Sequence, residues 1–173
     1  MNPNPKILAA LAYLPTGLES ILKVAALPTT GISTTIVYVL TAADGAKAAG
    51  TMWKRIAGAW VQQSAIPVEY RDYEGSATTY ITFFTYSDRP TMHGSGYVRR
   101  KTAVGQIDVW STGNVRPVIA AIETRLREAK IKSPGNVPDA SFDKTDGAAW
   151  YHGYVEFSTS EDALLEVVDG FGS

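Results

Sequence analysis

Two histidines, His93 in MHGSG and His152 in WYHGY, are the residues best suited to acid–base or metal chemistry, and the chain has no cysteine. Either role needs partners at fixed spacing. No HExxH or comparable arrangement surrounds them, so both read as structural residues. The lack of cysteine excludes disulfides, thiol catalysis and cysteine-ligated metals. Gly94-Ser95-Gly96 lacks the Gly-Lys-Ser/Thr ending of a phosphate loop and precedes a strand instead of a helix. Asp139, Asp143, Asp146 and Gly147 miss the residue order of a calcium loop. No serine lies in G-x-S-x-G, and Asp72 and Glu74 share a strand face as carboxylates on any exposed strand do. The expectation is a protein that is not an enzyme and holds no cofactor or metal.

The densest basic run is Arg99-Arg100-Lys101, and on a strand Arg99 and Lys101 share a face with Tyr97. Such a run can guard a sheet edge, meet a protein partner, or pair with phosphates beside stacking aromatics. A formal net charge of -1 argues against a general nucleic-acid binder. On the neighbouring strand, Tyr80, Thr82, Phe84 and Tyr86 lie on one face while Ile81 and Phe83 lie on the other. Large apolar groups on both faces predict a strand covered on both sides or paired with another subunit. The candidate interface residues are therefore Tyr97, Arg99, Arg100, Lys101, Tyr80, Phe84 and Tyr86.

The elements that must position these residues follow from hydrophobic period. With 173 residues, 45% hydrophobic and 19% charged, the chain can bury a sizeable core. Helical spacing over 5–26, divided by Pro15 and Gly17, predicts two short helices within an N-terminal helical segment, 1–31. That apolar run is too short to span a bilayer and lacks a signal-peptide pattern, so a soluble, intracellular product is expected. Over 32–63, ISTTIVYVL and TMWKRIAGAWVQQ flank the turn signal Asp44-Gly45, which predicts a β-hairpin. IPVEYRDY and TTYITFFTYS give two further strands, 88–96 a loop, and YVRRKTAVGQIDVW a long strand.

Asn114 as N-cap and Pro117 in the first turn open a helix over 115–131. Its apolar stripe is Val115, Val118, Ile119, Ile122, Leu126 and Ala129, with Glu123 and Arg127 on the wet face. A polar loop over 133–147 leads to the strand AAWYHGYVEFS. A short C-terminal helix follows, with Ser158 and Glu161 spaced as a capping box. Trp110 reads as a core or helix-covering aromatic. The fold class is α+β: an antiparallel β-sheet packed against helices, with consecutive strands paired as hairpins and the extra N-terminal helical segment and β-hairpin added. The expected organisation is a single domain, 1–173, with a core over 64–158 and a C-terminal tail over 159–173.

The wording of several elements resembles the tail terminator (tail completion) proteins of long-tailed bacteriophages. Those proteins show a Pro-containing first strand, a G-x-x-x-x-Y-I-x-F second strand, a V/I-D-V/I-W/Y-S strand, a helix, a variable loop and a closing strand reading D-T-x-x-x-Y-H. Here the counterparts are Pro67; Gly75 with Tyr80-Ile81-Thr82-Phe83; Ile107-Asp108-Val109-Trp110-Ser111; the 115–131 helix; and Asp146 with Tyr151-His152. The resemblance covers 65–158. It implies a virion protein assembled in the host cytoplasm, forming a hexameric ring with copies of itself. That ring caps the tail tube protein and meets a head connector or stopper protein. The resemblance further implies a passing contact with genomic DNA in the channel, no membrane and no cofactor. Against the family's pattern, the 32–63 hairpin intervenes between the first helix and the first strand, as an added arm. An adaptor or stopper ring of the same neck is the neighbouring reading. A carbohydrate- or ligand-binding module using the 4 Trp and 9 Tyr is the remoter one, because strand aromatics at period two are more often core.

Overall fold

Ile36–Leu40 is an unbroken apolar run, and a strand of that kind needs cover on both faces. In the computed structural model, which describes residues 5–94, 97–134, 141–145 and 148–162, it has that cover. Val37 and Val39 bury with Met52 against Tyr13 and Ile21 on one side. Tyr38 and Leu40 bury with Leu27 against Val24, Ile32, Ile36, Trp53 and Trp60 on the other. This strand belongs to one of two compact units, Leu11–Pro67; the other comprises Met1–Ala10 and Val68–Ser173. Among the described residues, two helices and two mixed sheets make a mixed α+β fold.

The Leu11–Pro67 unit is a four-stranded sheet in the order β1-β2-β3-β4: β1 Ser20–Val24, β2 Ile36–Leu40, β3 Met52–Ile56 and β4 Ala59–Gln63. Only α1, Pro5–Leu11, of the two expected N-terminal helices is a helix. The second is β1, parallel to β2 with Ile21 opposite Val37 and Val24 opposite Leu40. A turn prevents the helix: Leu18 N–H donates to the Pro15 carbonyl at 2.9 Å, and Leu18 has φ 59°. Beyond it, Ile21 and Val24 feed opposite cores, which only a period of two permits. The expected 32–63 hairpin is there as β2 with β3, but its second arm is itself a hairpin. β3 and β4 turn at Ala57-Gly58, with φ 48° and 80°. Two left-handed residues make the tight turn whose twist matches the strands. Lys54 donates to Glu19 Oε1 at 2.7 Å and holds that carboxyl below its ordinary value.

The second unit is a five-stranded sheet in the order β5-β6-β7-β9-β8: β5 Val68–Tyr70, β6 Thr79–Gly94, β7 Tyr97–Ser111, β8 Ser141–Thr145 and β9 Ala148–Asp162. Four expectations change here. β5 runs parallel to β6, so the sheet is mixed instead of antiparallel; Arg71, φ 74°, turns the chain away and donates its N–H to the Phe83 carbonyl. The expected loop 88–96 is strand as far as Gly94; register shifts on both sides of Met92 let the ladder pass Pro90, which has no N–H to give it. The expected 133–147 loop contains β8, paired with the start of β9. Ser158–Asp162, expected to open a helix, continues β9 against β7, and residues 163–173 lie outside the described residues.

α2, Arg116–Glu128, covers one face of this sheet. Its stripe Val118, Ile119, Ile122 and Leu126 is buried, as are Ile81, Phe83, Ile107, Val109, Val155 and Phe157 on the strands. Each such side chain contributes ~1.5–3 kcal/mol. Val115 occupies the cap position without a side-chain bond; Asn114 instead accepts the Arg116 N–H at 3.0 Å. At the other end Lys130, φ 56°, stops the helix, and Ile131 N–H donates to the Leu126 carbonyl at 2.8 Å. Lys132 and Ser158 then exchange two backbone bonds, of 3.0 and 2.8 Å, which tie the helix exit to β9. No helix among the described residues is long and apolar enough to cross a membrane.

Candidate interaction surface

The face of the five-stranded sheet opposite α2 is built by register. Tyr80, Trp110 and His152 form one cross-strand row, Thr82, Asp108 and Tyr154 the next, and Phe84, Gln106 and Glu156 a third. Such rows place side chains ~5 Å apart, close enough for every ring to meet its neighbour. The Trp110 and His152 rings stack at 4.1 Å and 19°, and Tyr80 lies 6.4 Å from Trp110 at 17°. Trp110 is thus a half-buried member of an aromatic row, while α2 covers the side of Ile107 and Val109. Beneath the row sits Asp108, 7% exposed, whose carboxylate accepts Gln106 Nε2 at 2.6 Å and His152 Nε2 at 2.8 Å. The pair sets the proton of His152 on Nε2 and fixes the ring against Trp110. The row continues into β8, where Ser141 stands opposite His152 in register. Among the described residues no three His, Asp or Glu side chains gather as a metal site. Asp139, Asp146 and Gly147 lie outside the described residues, and Asp143 stands on β8.

At the start of β6 the face deepens into a pocket of about 280 Å³ lined by Tyr73, Gly75, Ser76, Ala77, Tyr80, Trp110 and Trp150. Tyr73 stacks on Tyr80 at 4.4 Å and 21°, and its hydroxyl accepts the Ala77 N–H at 3.0 Å, which braces the loop. Trp150 tilts by 59° toward Tyr80 at 5.7 Å. Burial first, and Tyr73 second, push the Tyr80 phenol above its ordinary value. Further along, Phe84 and Tyr86 meet at 5.9 Å, and the Tyr86 hydroxyl donates to Glu156 Oε1 at 3.5 Å. Tyr86 is 51% exposed and stands at the bulge between Thr85 and Ser87.

The seven interface candidates therefore separate. Tyr80, Phe84 and Tyr86 share the outer face. Tyr97, Arg99, Arg100 and Lys101, described by backbone position, stand at the far end of the β6–β7 hairpin. The distance from Arg100 to Trp110 along β7 is ~33 Å at ~3.3 Å per residue. Arg100 and Lys101 have Asp162 and Glu161 opposite them in β9, whereas among the described residues Arg99 has no register partner on β6. His93 stands near the same tip, opposite Val98. The sequence reasoning missed Tyr73, Trp150 and the Asp108–His152 pair. The strand read over 66–73 ends at Tyr70, which leaves Asp72, Tyr73 and Glu74 in a loop, and the other contacts depend on register between distant segments.

These features define a mixed α+β protein with one sheet face under a helix and the other carrying half-exposed aromatics beside a long hairpin arm. No protein-family model matches the chain, and no curated protein matches it.

Proposed function

We propose that the chain is a tail terminator of a long-tailed bacteriophage: a virion structural protein whose copies form a ring, hexameric by the resemblance, that caps the tail tube and meets the head connector or stopper. The observation that carries this reading is the outer sheet face. Tyr80, Phe84, Trp110, His152 and Tyr154 are held there half-buried, with Tyr86 exposed, on the side away from α2. Side chains of this size in a fixed array, on a sheet that continues into a long arm, suit contact between subunits. The motif resemblance over 65–158 supplies the identity of the assembly. Cryo-electron microscopy of purified particles tests it. A single ring of this chain between tube and connector is the expected result, with the chain retained on tails that lack heads. Finding it only on tailless heads would make it an adaptor or stopper, and absence from the particle would refute a virion role.

A further inference from the structure

We infer that the aromatic pocket at the start of β6 is a cage for a basic side chain, and that its occupant is the β6–β7 hairpin arm of a second copy of this chain. The inference rests on the ring reading for the identity of the partner. The chemistry of the cage is on its walls. Tyr80 and Trp110 stand nearly parallel, Trp150 closes a third side at a steep tilt, and Tyr73 backs Tyr80. Ring faces attract a cation placed within ~6 Å of a centroid, most strongly for Trp and where water is partly excluded. The rim adds charge of the right sign. Asp72 and Glu74 flank Tyr73 and are exposed, while Arg71, the loop's cation, is drawn off over the Tyr70 ring at 5.3 Å.

The complementary group is at the other end of the same sheet. Arg99, Arg100 and Lys101 stand near the arm's tip, and among the described residues Arg99 has no register partner on β6. Cage and arm are separated by ~33 Å of extended strand, so no chain can fill its own cage with its own arm. Donor and acceptor at opposite ends of one molecule make a head-to-tail contact, which closes into a ring when the rotation per copy permits. The edge of β6 points the same way: Pro90 and three register shifts blunt it against strand addition.

Sedimentation velocity on the full chain tests this with two variants, neither of which alters a core residue. The cage variant is Asp72→Lys with Glu74→Lys and Trp150→Ala; the arm variant is Arg99→Glu with Arg100→Glu. Each is expected to weaken self-association at least tenfold, the lower end for a partly desolvated cation–aromatic contact with its charge partners. An equimolar mixture restores one good contact per pair and gives heterodimers but no larger species. If both variants assemble like the wild type, the inference falls and the ring reading stands. If the mixture gives no heterodimer, the contact is not head-to-tail between cage and arm. If the wild type is monomeric at every concentration, the second copy is overturned as occupant. Tryptophan fluorescence titrated with arginine amide then decides the cage: saturable quenching lost in Trp150→Ala retains it, and a flat titration removes it.

Discussion

Gly105 stands where the β6–β7 arm leaves the helix-covered part of the sheet, opposite Thr85 in β6 and Phe157 in β9. A methyl group built on it would collide with the Phe84 carbonyl oxygen and come within 2.5 Å of Phe157 Cζ and 2.8 Å of Phe157 Cε1. Neither neighbour yields cheaply. The Phe84 oxygen belongs to a strand locked in the ladder, and Phe157 is 1% exposed. Overpacking of this kind costs ~1–3 kcal/mol, and a clash with backbone belongs at the upper end. The smaller entropy of the unfolded Ala chain returns ~0.4–1 kcal/mol. Gly105→Ala should therefore destabilise by ~2 kcal/mol, lowering the melting temperature by roughly 4–8 °C. Circular dichroism with urea and thermal melts measures it. Gly113→Ala is the control, since its methyl group meets only Ser111 Oγ at 3.7 Å and the change should stay within ~0.5 kcal/mol. Adding Phe157→Leu to Gly105→Ala should recover part of the loss, a coupling that a double-mutant cycle reads directly. A Gly105→Ala protein as stable as Gly113→Ala, or a cycle without coupling, would refute the packing argument.

Two further predictions concern polar pairs. Lys54 lowers the Glu19 carboxyl from its ordinary value of 4.5, chiefly through its hydrogen bond and against the burial that raises it. A depressed folded value means stability present above pH 4.5 and lost as pH falls through the folded value, so wild type should exceed Glu19→Gln at pH 7 and converge with it in acid. An equal difference at pH 7 and pH 3 in urea melts would show that the charge contributes nothing. Asp108→Ala removes the acceptor that Gln106 and His152 share and should cost ~1–3 kcal/mol, whereas Asp108→Asn, which keeps an acceptor, should cost less. Chemical denaturation ranks the two, and the reverse order would remove the hydrogen-bond account.

What the sequence made legible is where local chemistry and tertiary packing agree. The 97–110 strand and the 115–131 helix differ from β7 and α2 only at their ends, because Pro117, the spacing of Val118, Ile119, Ile122 and Leu126, and the burial of Ile107 and Val109 all favour the same elements. Conflict arises where one segment satisfies two periods. Ile21 and Leu22 fit a helical stripe, yet the turn at Leu18 and the two-sided demand of β2 select the strand. Ala57-Gly58 lacks the Asn or Asp that announces a tight turn, so β3 and β4 read as one strand. Pro90 reads as a loop residue until bulges absorb it. The outer face was half legible in the same way. Period two put Tyr80, Phe84 and Tyr86 together, but it carries no information about which residue of another strand lies opposite. Register alone sets Trp110 between Tyr80 and His152, brings Asp108 under His152 from 44 residues away, and places Asp162 and Glu161 against Arg100 and Lys101. A surface of this kind is a property of pairing. Its chemistry emerges when strands choose neighbours, and for that reason a motif scan built to find catalytic spacings passes over it.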